Sequence, residues 1–304
     1  MKLLKKSLVG LCACWSALFF SCGGPVRDPI GIEKKASDSG EVLRVDLSSV
    51  SLTTDYGVPL PPGSFSDTVN GVPFTMVAVA GGEFEMGDLF GDGEADENRH
   101  RVVLPDYFLG ETEVTQRLWQ AVMGKNPSFF EGCPDCPVEQ ICWQDAKLFL
   151  DKLNALTGRS YRLPTEAEWE FAARERGKKV RFANGRDTAT TDRMNFDARP
   201  ENNLGYAVAG IFRDRTVPVK SFPPNGLGLF EMSGNVWEFC SDWYGAYPHR
   251  KDVAPNGPKQ GTYRVLRGGS WANDSRYCRA SDRDFNTLVN QFDYFGFRLA
   301  MDGR

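Results

Sequence analysis

Cysteine is the residue type with the clearest capacity for chemistry in this sequence, because its thiolate is a nucleophile, a metal ligand and a redox group. Cys133 and Cys136 enclose Pro-Asp, a spacing that suits either a short-loop disulfide or one half of a zinc site. No second CxxC occurs and the chain has only two histidines, His100 and His249, which disfavours zinc. Cys278 has no histidine near it in the sequence, which favours a buried packing thiol.

A second chemical feature is residues 272–295, which mix aromatic residues with Asp, Asn and Ser and follow neither a helical nor a strand period. The rings of Tyr277, Phe285, Phe292 and Tyr294 cannot be assigned to one buried face. Rigid amphipathic rings beside adaptable hydrogen-bonding side chains are typical of antibody-like binding surfaces. The pattern therefore indicates an exposed binding patch rather than a catalytic centre.

The composition excludes one class of partner. A net charge of -4 and a pI near 5.4 argue against binding to a phosphate backbone, which requires clustered Lys and Arg. The 304 residues are 41% hydrophobic, enough for a sizeable core, and 31 glycines with 21 phenylalanines are typical of a loop-rich fold. We therefore expect no nucleic-acid partner.

The N-terminus has the features of an export signal. Lys2, Lys5 and Lys6 precede an apolar run of about 15 residues, which is too short for a stable membrane span. The following SCGG sequence resembles a bacterial lipoprotein processing site, in which Cys22 is acylated; an ordinary signal peptide cut nearby is the alternative. We expect residues 1–22 to be removed or processed and the protein to be exported and lipid-anchored to a bacterial membrane, on its outer surface.

The remaining chain divides into a tether and one domain. Residues 23–68 are rich in Asp, Ser, Gly and Pro and are predicted to be a linker. Residues 69–304 are predicted to form the domain, beginning with GVPFTMVAVAGGEFEMG, which is typical of two strands joined by a Gly-rich turn. The acidic stretch FGDGEADENRH is predicted to be a solvated loop.

Three helices are predicted from apolar periodicity and capping residues. The first lies in VTQRLWQAVMG with Thr115 as its N-cap, and the second in CWQDAKLFLDKLNALTG with Gly158 as its C-cap. The third lies in LPTEAEWEFAARER, where Thr165 and Glu168 form a capping box. After Arg176 short apolar runs broken by Gly, Pro and Asn predict long ordered loops without further helix.

An ordered series of motifs resembles the formylglycine-generating enzymes, also called sulfatase-modifying factors. The motifs are GGEFEMG, DENRHRVVLPDYFLGETEVTQRLW, NPSFFEGCPDCPVEQICWQDA, YRLPTEAEWEFAAR, FPPNGLGLFEMSGNVWEFCSDWY, RVLRGGSW and GFRLA. The resemblance covers roughly 230 residues. It implies an α+β, C-type-lectin-like fold with low regular secondary structure and long ordered loops.

The resemblance also implies a thiol pair that this chain lacks. Enzymes of the family oxidise a substrate cysteine to formylglycine with two cysteines five residues apart after the GGS-aromatic motif, since a soft Cu(I) ion takes two thiolates. Those positions are Asn273 and Cys278 here, and Asn273 cannot supply a thiolate. Cys240 could replace it, but it follows the GNVWE motif and is predicted to be structural. Two histidines also exclude a three-histidine iron site.

The same motifs resemble a non-catalytic branch, the variable proteins of diversity-generating retroelements. There a reverse transcriptase mutates template adenines, often in AAC codons, which cannot thereby become codons for Lys, Glu, Gln, Met or Trp. Residues 272–295 contain a single such residue, Gln291, whereas the other 280 residues contain 49. About four would be expected in 24 residues at that frequency. The composition therefore favours a diversified segment.

The resemblance further implies a calcium site in LFEMSGNVWE. Carried over to this sequence, its ligands are the side chains of Glu231 and Glu238 and the carbonyls of Gly234 and Val236. Hard oxygen ligands of this kind suit Ca²⁺. No cofactor is required by the predicted binding function, so calcium is the one cofactor considered.

These observations predict a surface-displayed lipoprotein, not an enzyme, whose diversified segment binds a protein or another surface ligand of unknown identity. The predicted frame comprises Trp271, Cys278, Arg279, Phe297 and Arg298. The predicted ligand contacts are Ala272, Asn273, Asp274, Tyr277, Asp282, Asp284, Phe285, Thr287, Phe292, Asp293 and Tyr294. The alternatives are a formylglycine-generating-type cysteine oxidase or its remnant, and a structural lipoprotein scaffold.

Overall fold

The computed structural model describes residues 52–303 except 203 and 249. The predicted signal peptide with its acylated Cys22, and the first part of the predicted tether, lie outside these residues and stay predictions. In the described part, no helix combines the length and the apolar character that crossing a membrane requires.

The regular elements are short and are connected by long ordered loops. The helices are α1 (Gln116–Met123), α2 (Trp143–Thr157) and α3 (Glu166–Ala173), with one 3₁₀ turn at Pro200–Asn202. The strands are β1 (Phe65–Val69), β2 (Val72–Val79), β3 (Gly82–Met86), β4 (His100–Leu104), β5 (Tyr107–Gly110), β6 (Trp237–Trp243), β7 (Asp252–Val253), β8 (Arg264–Arg267), β9 (Asp284–Asn286), β10 (Phe295–Gly296) and β11 (Ala300–Asp302). The predicted α+β class with low regular structure is confirmed.

The strands form three small sheets. The first has the order β1-β2-β5-β11, the second β10-β6-β8-β9 and the third β3-β4-β7. Pairing is antiparallel throughout the first sheet, whereas β10 runs parallel to β6 and β7 runs parallel to β4. The last strand, β11, thus returns to β5, next to the first hairpin, and closes the domain.

The strand prediction for GVPFTMVAVAGGEFEMG was right about the strands and wrong about their pairing. β2 pairs with β1 and β5, whereas β3 pairs with β4 in another sheet. The turn between β2 and β3 passes very close to the backbone at the end of β4. A Cβ on Gly81 would lie 2.2 Å from the carbonyl oxygen of Leu104. Glycine there directs the chain into a second sheet instead of closing a hairpin.

All three predicted helices are present with their predicted caps. The Thr115 hydroxyl accepts a hydrogen bond from Leu118 N at 3.1 Å, and Gly158 ends α2 in the left-handed conformation with a φ of 69°. Thr165 and Glu168 form the expected reciprocal capping box. Local sequence therefore sets the bounds of the helices.

The domain begins earlier than predicted. Residues 52–68 were assigned to the tether, but β1 pairs with β2, and Thr53 and Pro59 form a bridge. Leu60 is buried and fits against Gly228, where a Cβ would lie 2.3 Å from its side chain. The tether prediction was wrong for this stretch because a few apolar residues among Pro, Ser and Asp suffice to dock it.

Candidate functional site

The part of segment 272–295 that begins at residue 284 is held at both ends by the second sheet. β9 pairs with β8 at one edge of this sheet, and β10 pairs with β6 at the other edge. Residues 287–294 therefore cross from one edge of the sheet to the other. They are also tied to the α2 side of the domain, because Gln140 N donates to Phe292 O at 2.9 Å and Gln144 N donates to Leu288 O at 3.2 Å.

Two buried ion pairs fix the frame around this segment. Both guanidinium Nη atoms of Arg279 donate to Glu97, at 2.7 and 2.8 Å. Arg298 donates to Glu238 at 2.6 and 2.7 Å and also donates to the carbonyls of Gly110 and Phe230. Two-pronged geometry of this kind is specific to arginine and makes a buried pair rigid.

The five predicted frame residues, Trp271, Cys278, Arg279, Phe297 and Arg298, are all buried. Glu97, the partner of Arg279, lies in FGDGEADENRH, and the prediction that this stretch is a solvated loop was wrong for that residue. Its carboxylate is buried, and Arg279 keeps the pKa of Glu97 low against the opposing effect of burial. Nothing in the local sequence indicated this pairing, because the two residues are far apart along the chain.

Several predicted contact residues do face outward. Tyr277, Phe285 and Phe292 expose 38%, 39% and 37% of their surface, and Ala272 is also exposed. Asn273, Asp274, Asp284, Thr287, Asp293 and Tyr294 are partly exposed. Exposed aromatic rings cost hydration free energy, so a cluster of them within one short segment is unusual for a surface without a partner.

Asp282 was predicted as a contact, and the structure contradicts this. Its side chain is buried and its Oδ1 atom accepts from Arg279 at 3.0 Å. Burial raises the pKa of Asp282 well above the usual range, while Arg279 opposes that rise. Asp282 faces inward because it belongs to the Arg279 ion-pair cluster, and so it serves the frame.

Asn273 is only partly available to a ligand. Its Oδ1 atom accepts hydrogen bonds from Trp237 Nε1 at 2.9 Å and from the Ser270 hydroxyl at 2.6 Å. Its main-chain oxygen accepts from Asp197 N at 2.8 Å. The residue at the first thiol position of the formylglycine-generating enzymes is therefore built into the interior of this domain through its amide oxygen.

Cys278 is unsuited to nucleophilic chemistry. Its side chain is fully buried against Gly269, where a Cβ would lie 2.6 Å from Sγ. Burial, followed by the charges of Asp282 and Asp274, raises the pKa of the thiol well above its usual range. Cys278 therefore stays protonated at neutral pH and acts as a packing group.

Cys142 and Cys240 are likewise free and buried. Burial raises the pKa of Cys240 well above its usual range and raises that of Cys142 as well. Cys133 and Cys136 form a disulfide, which confirms that prediction and removes the zinc alternative.

The aromatic residues in and next to the segment contact further aromatic rings that the sequence did not indicate. The indole N–H of Trp271 donates to Asp293 O at 3.1 Å, and its ring contacts Phe130 and Phe212, with centroids 5.4 and 6.2 Å away. Phe292 stacks on Tyr294 with centroids 5.2 Å apart.

Phe285 lies in another aromatic group, with Tyr244 at 4.3 Å and Tyr263 at 4.9 Å between ring centroids. Tyr244 directly follows β6 and Tyr263 directly precedes β8. No motif or spacing in the sequence indicated that either tyrosine belongs to the site. Phe129, which exposes 66% of its surface beside Phe130, could have been found, because two adjacent phenylalanines within NPSFFEG do not fit a core pattern.

The acidic groups of the segment are perturbed by their surroundings. Burial raises the pKa of Asp284 and of Asp293. Burial, and then the charges of Asp293 and Asp284, raise the pKa of Tyr294, so the rings and carboxylates of this segment share one electrostatic environment. A ligand that brings hydrogen-bond donors or a positive charge would be favoured there.

The implied calcium site does not fit the residues present. Both oxygens of Glu238 accept from Arg298, and one also accepts from Trp169 Nε1 at 2.7 Å. The oxygens of Glu231 accept from the main-chain nitrogens of Lys220 and Phe222 at 2.9 and 3.3 Å. Arginine paired with Glu238 supplies the positive charge that calcium would bring, so this carboxylate is not a free ligand.

Residues 64–303 match the model of the family described as the sulfatase-modifying factor enzyme 1-like domain. The chain belongs to this family. The match spans all three sheets and all three helices, and it confirms the resemblance to formylglycine-generating enzymes that the motifs indicated.

Individual members of the family and related structures agree with this assignment. A formylglycine-generating enzyme of Streptomyces coelicolor is 32% identical over 285 residues, which is 75% of this chain and 89% of that protein. Treponema denticola variable protein 1 has a TM-score of 0.67 and 31% identity, covering 80% of this chain and 100% of that one. PvdO from Pseudomonas aeruginosa, at 24% identity and a TM-score of 0.64, supports the fold alone.

Proposed function

We propose that this member of the sulfatase-modifying factor family is a non-catalytic binding protein, lipid-anchored at a bacterial surface, whose segment 272–295 contacts a protein or another surface ligand. The observation that carries the proposal is the division within this segment. Tyr277, Phe285 and Phe292 are exposed, while Cys278 and Asp282 belong to a buried frame. A rigid frame that presents exposed rings lowers the entropy cost of binding.

Two further observations support a binding role. The position of the first catalytic thiol is Asn273, whose amide oxygen is used inside the domain. The second thiol, Cys278, is buried and stays protonated. The likeness to Treponema denticola variable protein 1 provides a precedent for this fold in a protein named for variability. In this proposal, reverse-transcriptase-directed mutation diversifies the exposed positions.

The proposal is tested first at the level of DNA. A near-copy of the coding segment for residues 272–295, differing from it at adenines and lying beside a reverse-transcriptase gene, is the expected finding. Differences that map to Tyr277, Phe285 and Phe292 but spare Cys278 would support the division seen in the structure. A locus without such a copy would leave the diversified function without its mechanism and return the protein to a structural scaffold.

The formylglycine-generating oxidase is the second candidate, and the identity to the Streptomyces coelicolor enzyme over most of its length favours it. It is tested by incubating the protein with Cu(I), oxygen, a thiol reductant that supplies the two electrons for the second oxygen atom, and a cysteine-containing peptide, and measuring aldehyde formation by mass spectrometry. We expect no product. Turnover that disappears in Cys278→Ser would overturn the non-catalytic proposal, with Cys142→Ser as the matched buried-thiol control.

A further inference from the structure

A cavity of about 380 Å³ lies between the start of β4, the start of α3 and the loop that follows β6. His100, Glu166, Asp242 and Tyr247 line it, and Arg283 closes one side. Its volume falls within the range of small-molecule sites in proteins. The two positions of the family's thiols, Asn273 and Cys278, do not line this cavity, and neither do the residues of the implied calcium site.

Part of the polar lining is already satisfied within the protein. Glu166 accepts from Arg283 Nε at 2.6 Å and Nη2 at 2.9 Å, and also from the Tyr247 hydroxyl at 2.9 Å. The guanidinium of Arg283 lies 3.8 Å from the centre of the Tyr247 ring. These three side chains form a neutralised wall, because the charges of Glu166 and Arg283 cancel and their hydrogen-bonding groups are occupied.

Two acceptors on the same cavity remain open. Asp242 exposes only 3% of its surface; its Oδ2 atom accepts from Glu166 N and the Ser241 hydroxyl, both at 3.0 Å. Its Oδ1 atom has no hydrogen-bond partner among the described residues. His100 Nδ1 lies 3.1 Å from Asn98 O. Since a carbonyl oxygen only accepts, Nδ1 donates in this contact, and Nε2 is the acceptor in the tautomer that matches it.

The charge and the apolar walls define the ligand that these acceptors suit. Burial, and then the charge of Glu166, raise the pKa of Asp242 to about 7, so a bound cation is favoured because it stabilises the ionised carboxylate. Pro248, Pro255 and Pro258 supply apolar, rigid surface around the same space. A buried carboxylate whose second oxygen accepts no hydrogen bond is stabilised by a positively charged donor, and proline rings provide an apolar surface for an alkyl chain.

We propose that this cavity binds an alkylammonium group, which donates to Asp242 Oδ1, with His100 Nε2 as a second acceptor and the alkyl chain against the prolines. A free alkylamine and a lysine side chain share this chemistry. The site stands apart from the proposed function, because Arg283 is the one residue of segment 272–295 that lines it and its guanidinium is engaged with Glu166.

The site is tested by titrating the purified protein with n-butylammonium and with n-butanol, and by following binding calorimetrically. The wild type is expected to bind the cation and not the alcohol. Asp242→Asn keeps the shape and turns an amide donor toward the cavity, so affinity for n-butylammonium should fall by about tenfold or more. Asp252→Asn, at the rim of the same cavity, is the matched control and should bind within about twofold of the wild type.

A second variant tests the site independently, in case Asp242→Asn impairs folding. Ala246 is exposed at the cavity, and Ala246→Trp should fill its mouth and abolish binding without touching the carboxylate. Equal binding of alcohol and cation, or unchanged binding in both Asp242→Asn and Ala246→Trp, would refute the site. A second ligand, Nα-acetyl-lysine methylamide, distinguishes the two sources of the ammonium group. Tighter binding than that of n-butylammonium assigns the site to a lysine side chain, and weaker binding assigns it to a free amine.

Discussion

Arg279 and Glu97, which lie 182 residues apart in the sequence, form a buried ion pair with nitrogen–oxygen distances of 2.7 and 2.8 Å. The pair joins the segment that carries the exposed rings to the loop before β4. In the proposed binding function, this pair holds the backbone of the segment in place while side chains on either side of Arg279 change in type.

Replacing Arg279 with Met should destabilise the domain by about 3–5 kcal/mol, because Glu97 would then be a buried charge without a partner. Urea unfolding followed by tryptophan fluorescence measures this loss. Arg276→Met is the matched control, since Arg276 is exposed and pairs with Asp274 at the surface, and it should cost less than about 1 kcal/mol. Equal losses in the two variants would show that the frame does not depend on the buried pair.

The exposed rings should be replaceable without loss of the fold. Phe292→Ser is expected to lower the free energy of unfolding by about 1–2 kcal/mol, because 37% of the surface of this residue is already in water. Phe295→Ser, three positions along, removes a buried ring that contacts Phe239 and should cost about 3–5 kcal/mol. Chemical denaturation of both variants gives the comparison, and a large loss in Phe292→Ser would place that ring in the core.

Asn273 should prove important for stability through its amide oxygen. Asn273→Cys leaves the indole N–H of Trp237 without its acceptor and should destabilise the domain by about 1–3 kcal/mol. It should also fail to create a copper site, since Cys278 remains buried. Asn273→Asp keeps an acceptor and is the control. Tight Cu(I) binding by Asn273→Cys, measured by competition with a chelator, would contradict this expectation.

Glu139 should make stability depend on pH. Burial raises the pKa of Glu139 from 4.5 to about 7, although Phe129 N and Phe130 N, each 2.9 Å away, favour the ionised form. The folded state therefore holds a proton that the unfolded state releases between pH 4.5 and 7. The contribution of Glu139 to stability is full below pH 4.5 and is lost as pH rises to 7, by an amount on the order of 3 kcal/mol.

Glu139→Gln should remove this dependence, so its stability relative to the wild type should increase from pH 4.5 to pH 7. Thermal unfolding at several pH values measures the difference. Glu131→Gln, in the same loop but exposed, should run parallel to the wild type. A constant difference between the wild type and Glu139→Gln across this range would show that Glu139 titrates at its ordinary pKa.

The sequence predicted local structure well because the relevant signals are local. The caps at Thr115, Gly158 and Thr165 act within one helical turn, and they place all three helices. The motifs predicted the family, and with it the fold. The exposure of Tyr277, Phe285 and Phe292 followed from the absence of any period in their spacing.

What the sequence missed depends on contacts between distant residues. Asp282 resembles the neighbouring Asp284 in every local respect, and only the position of Arg279 and Glu97 directs it inward. Phe130 and Phe212 join the site through Trp271, a contact that no spacing rule encodes. The carboxylate of Glu238 is taken by Arg298, 60 residues away, so a metal-ligand pattern in the sequence became an ion pair in the fold.

The anchoring of β9 and β10 at opposite edges of one sheet sets the length of the chain between them. Crossing three strand intervals requires about 14 Å, and the eight residues 287–294 reach at most about 26 Å when extended. Shortening this stretch by half would leave an extended reach of about 16 Å, with almost no slack for the path from one edge of the sheet to the other. In the proposed binding function, the stretch therefore diversifies by exchange of side chains at constant chain length.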